Sequence, residues 1–158
     1  MDGDIYLNIQ GDEPLINPLA IKQIVDEMLN NNDTYYAGLF SKIKTEEEFL
    51  NRNVVKTVID QSCNAMYFSR SPIPNNFDPN VAKRVLGLYG YRNWFLKKYA
   101  DIPKSELENS ESGVEMLRMM EKGYKIKLLE TIYETIGVDL PEHIPLIEAE
   151  MNKNNTKI

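Results

Sequence analysis

Apolar residues alternate from the fifth position: Ile5, Leu7 and Ile9 with Tyr6 and Asn8 between them, a period of two that predicts a strand. The period changes after residue 17. Asn17 followed by Pro18 is a helix start, and Ile21, Ile24, Val25, Met28 and Leu29 recur at helical spacing until the polar run 30–33 ends it. A strand is predicted over 35–40, and Thr45 with Glu48 forms a capping box ahead of a short helix through Phe49 and Leu50. Residues 54–59 and 65–68 read as two strands joined by Asp60-Gln61-Ser62-Cys63-Asn64, a hairpin. Ser71-Pro72-Ile73-Pro74 cannot continue a central strand, because each proline removes a ladder donor. Further on, 86–91 reads as a strand, 94–99 as a helix, 105–122 as mostly helical and acidic, and 124–129 as a strand. Pro141 starts a last helix with Ile144, Ile147 and Met151 on one face, and 152–158 is a polar tail.

Strands alternating with helices, with a β-hairpin inserted, predict an α/β domain: a mixed, mostly parallel sheet flanked by helices. No repeat or long linker divides the chain, so residues 1–158 are expected to form a single domain. Composition removes several alternatives. The 158 residues carry 18 Lys+Arg against 24 Asp+Glu, a net charge of −6. That balance argues against a general nucleic-acid or anionic-membrane binder, whose affinity would come from Lys and Arg. Cys63 is the only cysteine, which excludes an internal disulfide. It has no nucleophile signature and reads as incidental. No apolar run reaches the roughly 18 residues of a membrane span, and Met1-Asp2-Gly3-Asp4 lacks the basic start of a signal peptide, so a cytoplasmic location is expected.

In open α/β sheets ligands sit beyond the carboxyl ends of strands, which points to Gln10-Gly11-Asp12-Glu13-Pro14. Gly11 is expected to allow a sharp turn there. Asp12 reads equally as a Mg²⁺ ligand or as an acceptor for the donors of its own turn. Asp139, just before Pro141, reads as a helix cap or as a second ligand to the same cation. Arg70 stands open between a substrate cation and an ion pair in the sheet. Lys56 stands open between an active-site cation and a surface charge. The sole histidine, His143, reads as a solvated residue of the last helix, and Trp94, Phe95, Met116, Met119 and Met120 as packing residues.

Six strings follow one another in a distinctive order: Asn8-Ile9-Gln10-Gly11-Asp12-Glu13-Pro14-Leu15-Ile16, Val55-Lys56, Tyr67-Phe68-Ser69-Arg70-Ser71-Pro72-Ile73-Pro74, Leu86-Gly87-Leu88-Tyr89-Gly90-Tyr91-Arg92, Glu115-Met116-Leu117-Arg118 and Gly137-Val138-Asp139-Leu140-Pro141-Glu142. From about Asp4 to Met151 the chain resembles the 3-deoxy-manno-octulosonate (KDO) cytidylyltransferases, the CMP-KDO synthetases of lipopolysaccharide and capsule biosynthesis. The resemblance implies a fold like that of the nucleotide-diphospho-sugar transferases, usually dimeric. It also implies transfer of CMP from CTP to the anomeric hydroxyl of KDO, releasing pyrophosphate. On the same ground Asp12 and Asp139 would hold Mg²⁺, and Gln10, Arg70, Tyr89 and Glu115 would contact substrate.

Three departures bear on these expectations. Val85 stands where the family usually has a sugar-contacting histidine, and Met116 where it has a glutamine, which opens a second expectation: another ulosonic acid as acceptor. Ser112-Gly113 reads as a one-residue insertion before Glu115. The family's opening strand and its Arg/Ser/Lys-rich triphosphate loop have no counterpart here. The chain is therefore expected to be N-terminally incomplete, with a non-catalytic fragment acting through the dimer interface as the alternative to an enzyme.

Overall fold

A computed structural model describes residues 3–133, 137–138 and 141–155. The elements run β1 (Ile5–Ile9), α1 (Pro18–Asn30), β2 (Tyr36–Lys42), α2 (Glu46–Leu50), β3 (Lys56–Ile59), β4 (Ala65–Ser69), β5 (Lys83–Arg92), α3 (Asn93–Ala100), α4 (Glu106–Ser110), α5 (Met116–Glu121) and β6 (Lys127–Glu130). A 3-10 turn (Pro141–His143) then leads into α6 (Ile144–Asn155).

The strands form one mixed sheet in the order β4-β3-β5-β2-β6, with β1 also paired to β5. The expected mixed sheet is present, and the four strands β1, β2, β3 and β6 share one direction. Pairing follows a different rule, because β5 runs against that direction in the middle. Only β2 and β6 pair in parallel; every other ladder is antiparallel. Along one edge of β5 lies β2. Along the other edge β3 covers Lys83 and Arg84, and β1 covers residues 88–92.

Side chains alternate across β5 and so divide the core. Leu86 and Leu88 pack with Ala37 and Leu39 against Ala20, Ile24 and Met28 of α1. Tyr89 and Tyr91 face the other way, onto Tyr36, Phe95 of α3, and Met116, Leu117 and Met119 of α5. The buried stripe of α1 centres on Ala20, Ile24 and Met28, leaving Leu29 65% exposed. Gly90 explains the close approach, since a Cβ there would stand 2.5 Å from Ile24 Cγ2 and 2.7 Å from Met28 Sδ. The Asn17 side chain accepts from the Leu19 N–H at 2.9 Å, with Pro18 at the first helical position, as expected. Arg92 closes the other end of α1, donating to the carbonyls of Met28 (2.6 Å) and Asn31 (3.2 Å).

The hairpin forms as predicted, and the Asp60 carboxylate accepts from the N–H groups of Ser62 and Asn64, both at 2.8 Å. The stretch 105–122, expected to be mostly helical, holds two short helices, α4 and α5. Ser112 (φ 55°) and Gly113 (φ 83°) are consecutive left-handed residues, which no α-helix can continue through. The strand expected from 124 starts at Lys127, because the Gly123 and Tyr124 N–H groups close the end of α5 on the carbonyls of Met120 (2.8 Å) and Met119 (3.1 Å). In α6 only Ile147 of the expected apolar face is buried; Ile144 and Met151 are 46% and 44% exposed. No helix among the described residues is long and apolar enough to cross a membrane.

Candidate active site

The end of β1 and the start of β3 meet on the same edge of β5. The Gln10 N–H donates to the Gly87 carbonyl (3.2 Å), and the Val85 N–H to the Val55 carbonyl (3.0 Å). Between these two last rungs a cleft of about 420 Å³ opens on the α5 side of the sheet. Its lining brings together Gln10, Asp12, Arg70, Tyr89 and Glu115, residues up to 105 positions apart that the sequence singled out. Asp139 lies outside the described residues.

One wall is the turn after β1. Main-chain bonds hold it: Glu13 N–H to Gln10 O (3.1 Å) and Ile16 N–H to Glu13 O (3.3 Å). Gly11 is not the cause of this turn. Its φ is not in the left-handed region, and a Cβ there would meet nothing within 4 Å. The glycine the cleft requires is Gly87, where a Cβ would stand 2.5 Å from Gln10 Oε1; its absence lets the Gln10 amide lie over β5. The Asp12 carboxylate is exposed at the cleft and accepts no hydrogen bond among the described residues, so it does not cap its own turn. Residues 137–138 run beside it, the Val138 N–H donating to the Asp12 carbonyl at 2.8 Å. His143 supports that segment, its Nδ1 3.1 Å from the Gly137 carbonyl, and is half-buried rather than solvated. Among the described residues no cluster of three His, Cys, Asp or Glu could hold a metal. The oxygen donor of Asp12, next to the residue preceding Asp139, is nonetheless of the type a hard cation takes.

The opposite wall carries cations. Arg70 Nη1 donates to the carbonyls of Arg52 (3.1 Å) and Asn53 (3.4 Å), so its guanidinium lines the cleft instead of making an ion pair in the sheet; its Nε is buried and makes no hydrogen bond among the described residues. Arg84, which sequence reasoning missed, also lines it, held by Ser41 Oγ (3.0 Å) and by Glu48 (3.2 Å) of the capping box. Lys56 is neither a cleft cation nor a surface charge. It is fully buried, and its Nζ donates to the carbonyls of Asn51 (2.8 Å), Val54 (2.7 Å) and Arg70 (2.6 Å). Burial, and next the charge of Arg70, lower its ammonium from 10.5 to about 8, with Glu111 opposing. Glu111 was missed as well. It accepts from Tyr67 Oη (3.2 Å), Ser69 Oγ (3.0 Å) and the Arg70 N–H (2.8 Å). Only its acidity was visible in the sequence, because its partners lie more than 40 residues away.

The floor is Tyr89, Val85 and Met116. Burial, and next the charge of Glu115, push the Tyr89 phenol well above its usual value, so it stays protonated and able to donate. Glu115 is placed by the break before α5 and by Arg118 three residues on, whose Nε meets buried Glu108 at 2.7 Å. Its main-chain carbonyl accepts from Tyr99 Oη at 3.3 Å. The cleft is thus bipolar, with carboxylates on one wall, guanidinium groups on the other, and an amide and a neutral phenol between them. It suits a polyanionic ligand accompanied by a cation.

The chain is 40% identical over 159 residues to 3-deoxy-manno-octulosonate cytidylyltransferase of Thermodesulfovibrio yellowstonii, covering 96% of this chain and 62% of the relative. To the protein of that name from Fusobacterium nucleatum it is 41% identical, covering 98% and 64%. The chain thus spans less than two thirds of the length of these relatives. It superposes on a CMP:2-keto-3-deoxy-manno-octonic acid synthetase solved in complex with CTP with a TM-score of 0.88 and 34% identity, covering 98% of this chain and 64% of the other. A family model described as cytidylyltransferase matches residues 1–132, most of the chain and all of the described cleft except Gly137. Matched over residues 1–132 by that model and about 40% identical to these relatives, the chain belongs to the cytidylyltransferase family.

Proposed function

We propose that this chain acts in the transfer of CMP from CTP to the anomeric 2-hydroxyl of KDO, forming CMP-KDO and pyrophosphate. The observation that carries the reading is the bipolar cleft at the gap between β1 and β3, where Gln10, Asp12, Arg70, Tyr89 and Glu115 converge. The new bond joins the KDO oxygen to the α-phosphorus as the hydroxyl proton passes to solvent, and the bond from that phosphorus to the pyrophosphate oxygen breaks. Arg70 and Arg84 hold anionic oxygens of the substrates, and Gln10, Tyr89 and Glu115 orient hydroxyl and carboxylate groups of the sugar acid. Asp12 and Asp139 would hold Mg²⁺, which when bound neutralises phosphate charge and draws the two substrates together. The cytoplasm stays the expected compartment, and the assembly (a homodimer) and the process (lipopolysaccharide or capsule biosynthesis) rest on the family resemblance alone.

The test is CTP-dependent pyrophosphate release with KDO and Mg²⁺, compared between the wild-type chain and Asp12→Asn. Release by the wild type that Asp12→Asn abolishes supports the reading; release by the wild type that Asp12→Asn leaves undiminished refutes the assignment of Asp12. A second reading has its own observation. Val85 and Met116 both line the cleft, so part of its floor cannot hydrogen-bond a hydroxyl. A less hydroxylated ulosonic acid would lose less there than KDO does. Competition between KDO and related ulosonic acids, read as relative kcat/KM, decides between the two.

A further inference from the structure

The segment bearing Arg70 is gripped from both sides by charge, a buried lysine on one and a half-buried glutamate on the other. Its carbonyl accepts from Lys56 Nζ (2.6 Å) and its N–H donates to Glu111 Oε2 (2.8 Å), so each main-chain dipole meets a side chain of matching polarity. The same Glu111 holds Ser69 Oγ, which in turn accepts the Ser71 N–H at 2.9 Å. Lys56 meanwhile ties the carbonyls of Asn51 and Val54 into the bracket. The guanidinium of Arg70 rests on Arg52 and Asn53, inside the loop that Lys56 spans. We propose that Lys56 and Glu111 are positioning residues for Arg70: together they fix the backbone from which its guanidinium meets an anionic group of the substrate. The inference rests on the reading of Arg70 as a substrate-binding cation.

The charged groups facing Lys56 are Arg52 beyond α2, Arg70 beyond β4, Glu111 beyond α4, and Arg84 opposite it in the β3–β5 register. Below pH 8 its ammonium has three hydrogens for three carbonyls. Above that pH the neutral amine has two, and one tie is lost. Substrate affinity should therefore fall across this range. Stability should not fall with it. A lysine at about 8 in the folded chain, against 10.5 unfolded, makes the unfolded state the better proton binder between those values, so this group's contribution to stability rises with pH. The opposed signs separate positioning from simple support of the fold.

The experiment follows the Lys56 ε-carbon and the Arg70 carbonyl carbon by NMR from pH 6.5 to 9.5, and measures KDO and Mg²⁺–CTP affinity by calorimetry over the same range. Wild type, Glu111→Gln, Lys56→Met and Arg70→Ala are compared. Glu111→Gln keeps an acceptor for the Arg70 N–H and removes only the charge, so it carries the test if Lys56→Met fails to fold. The expected result is one common midpoint near 8 for both carbons, lower in Glu111→Gln. Affinity for at least one ligand should weaken roughly tenfold across that midpoint, as loss of a charge-assisted contact would give. An Arg70 carbonyl blind to the Lys56 titration overturns the proposal. So does affinity that stays flat with pH while Arg70→Ala weakens binding. If Arg70→Ala binds both ligands as the wild type does, the reading of Arg70 itself falls and takes the inference with it.

Discussion

The two walls of the cleft are built by opposite means. The Asp12 wall is held by main-chain hydrogen bonds, and its carboxylate stands free of the fold among the described residues. The Arg70 wall is held by side chains, buried Lys56 and Ser69 and half-buried Glu111, which fix the loop that carries the guanidinium. A carboxylate that will meet a cation needs no internal partner. A cation presented from a proline-bounded loop needs its backbone fixed, and this chain does that with charge. Function and stability should therefore be separable at the first wall and coupled at the second.

The largest effect expected is at the first wall. Asp12→Asn should lower turnover by about 100-fold or more, in the range seen when one preorganised charge at a reacting centre is lost, with no change in the denaturation midpoint. A parallel loss of stability would break the comparison. At the second wall, Ser69→Ala removes the hydroxyl that accepts the Ser71 N–H and donates to Glu111, at a cost of about 1 kcal/mol. Urea unfolding and KM should move together; a raised KM at unchanged stability would show that the second wall is separable too. The smallest effect concerns the floor that joins the walls. Gly87→Ala pushes on the far end of the Gln10 side chain, which can swing away, so stability should drop by no more than about 1 kcal/mol while KM rises severalfold. A crystal structure of the variant with Gln10 unmoved would defeat that expectation.

Much of this architecture was readable because it is local. The Asn17 cap, the hairpin turn around Asp60 and the period of β1 depend on residues a few positions apart, and each stands where expected. The resemblance likewise brought Gln10, Asp12, Arg70, Tyr89 and Glu115 to one cleft. What was not legible depends on distant pairing. Nothing in Val55-Lys56-Thr57 tells a buried lysine from an exposed one until the carbonyl of residue 70 is in place. Arg92, read within a motif, turned out to cap a helix more than 60 residues earlier in the chain. Ile144 and Met151 follow helical spacing yet stay largely exposed, because period alone does not say whether a neighbour covers the face. The direction of β5, which turned an expected mostly parallel sheet into mostly antiparallel pairing, is a global choice that no strand announces.

That central strand also governs when the cleft can come into being. β1, β2 and β3 all find their ladders on β5, which follows them in the chain, so only the β3–β4 hairpin can zip up from neighbouring segments. Such long-range pairing is slow and leaves apolar strands waiting for a partner. During synthesis neither wall can be assembled before residue 92 is available, and once β5 docks it recruits the end of β1 and the start of β3 onto one edge. The binding cleft is then a product of the docking of β5, and a chain stalled short of that strand would hold all of Gln10, Asp12 and Arg70 without any place for them to meet.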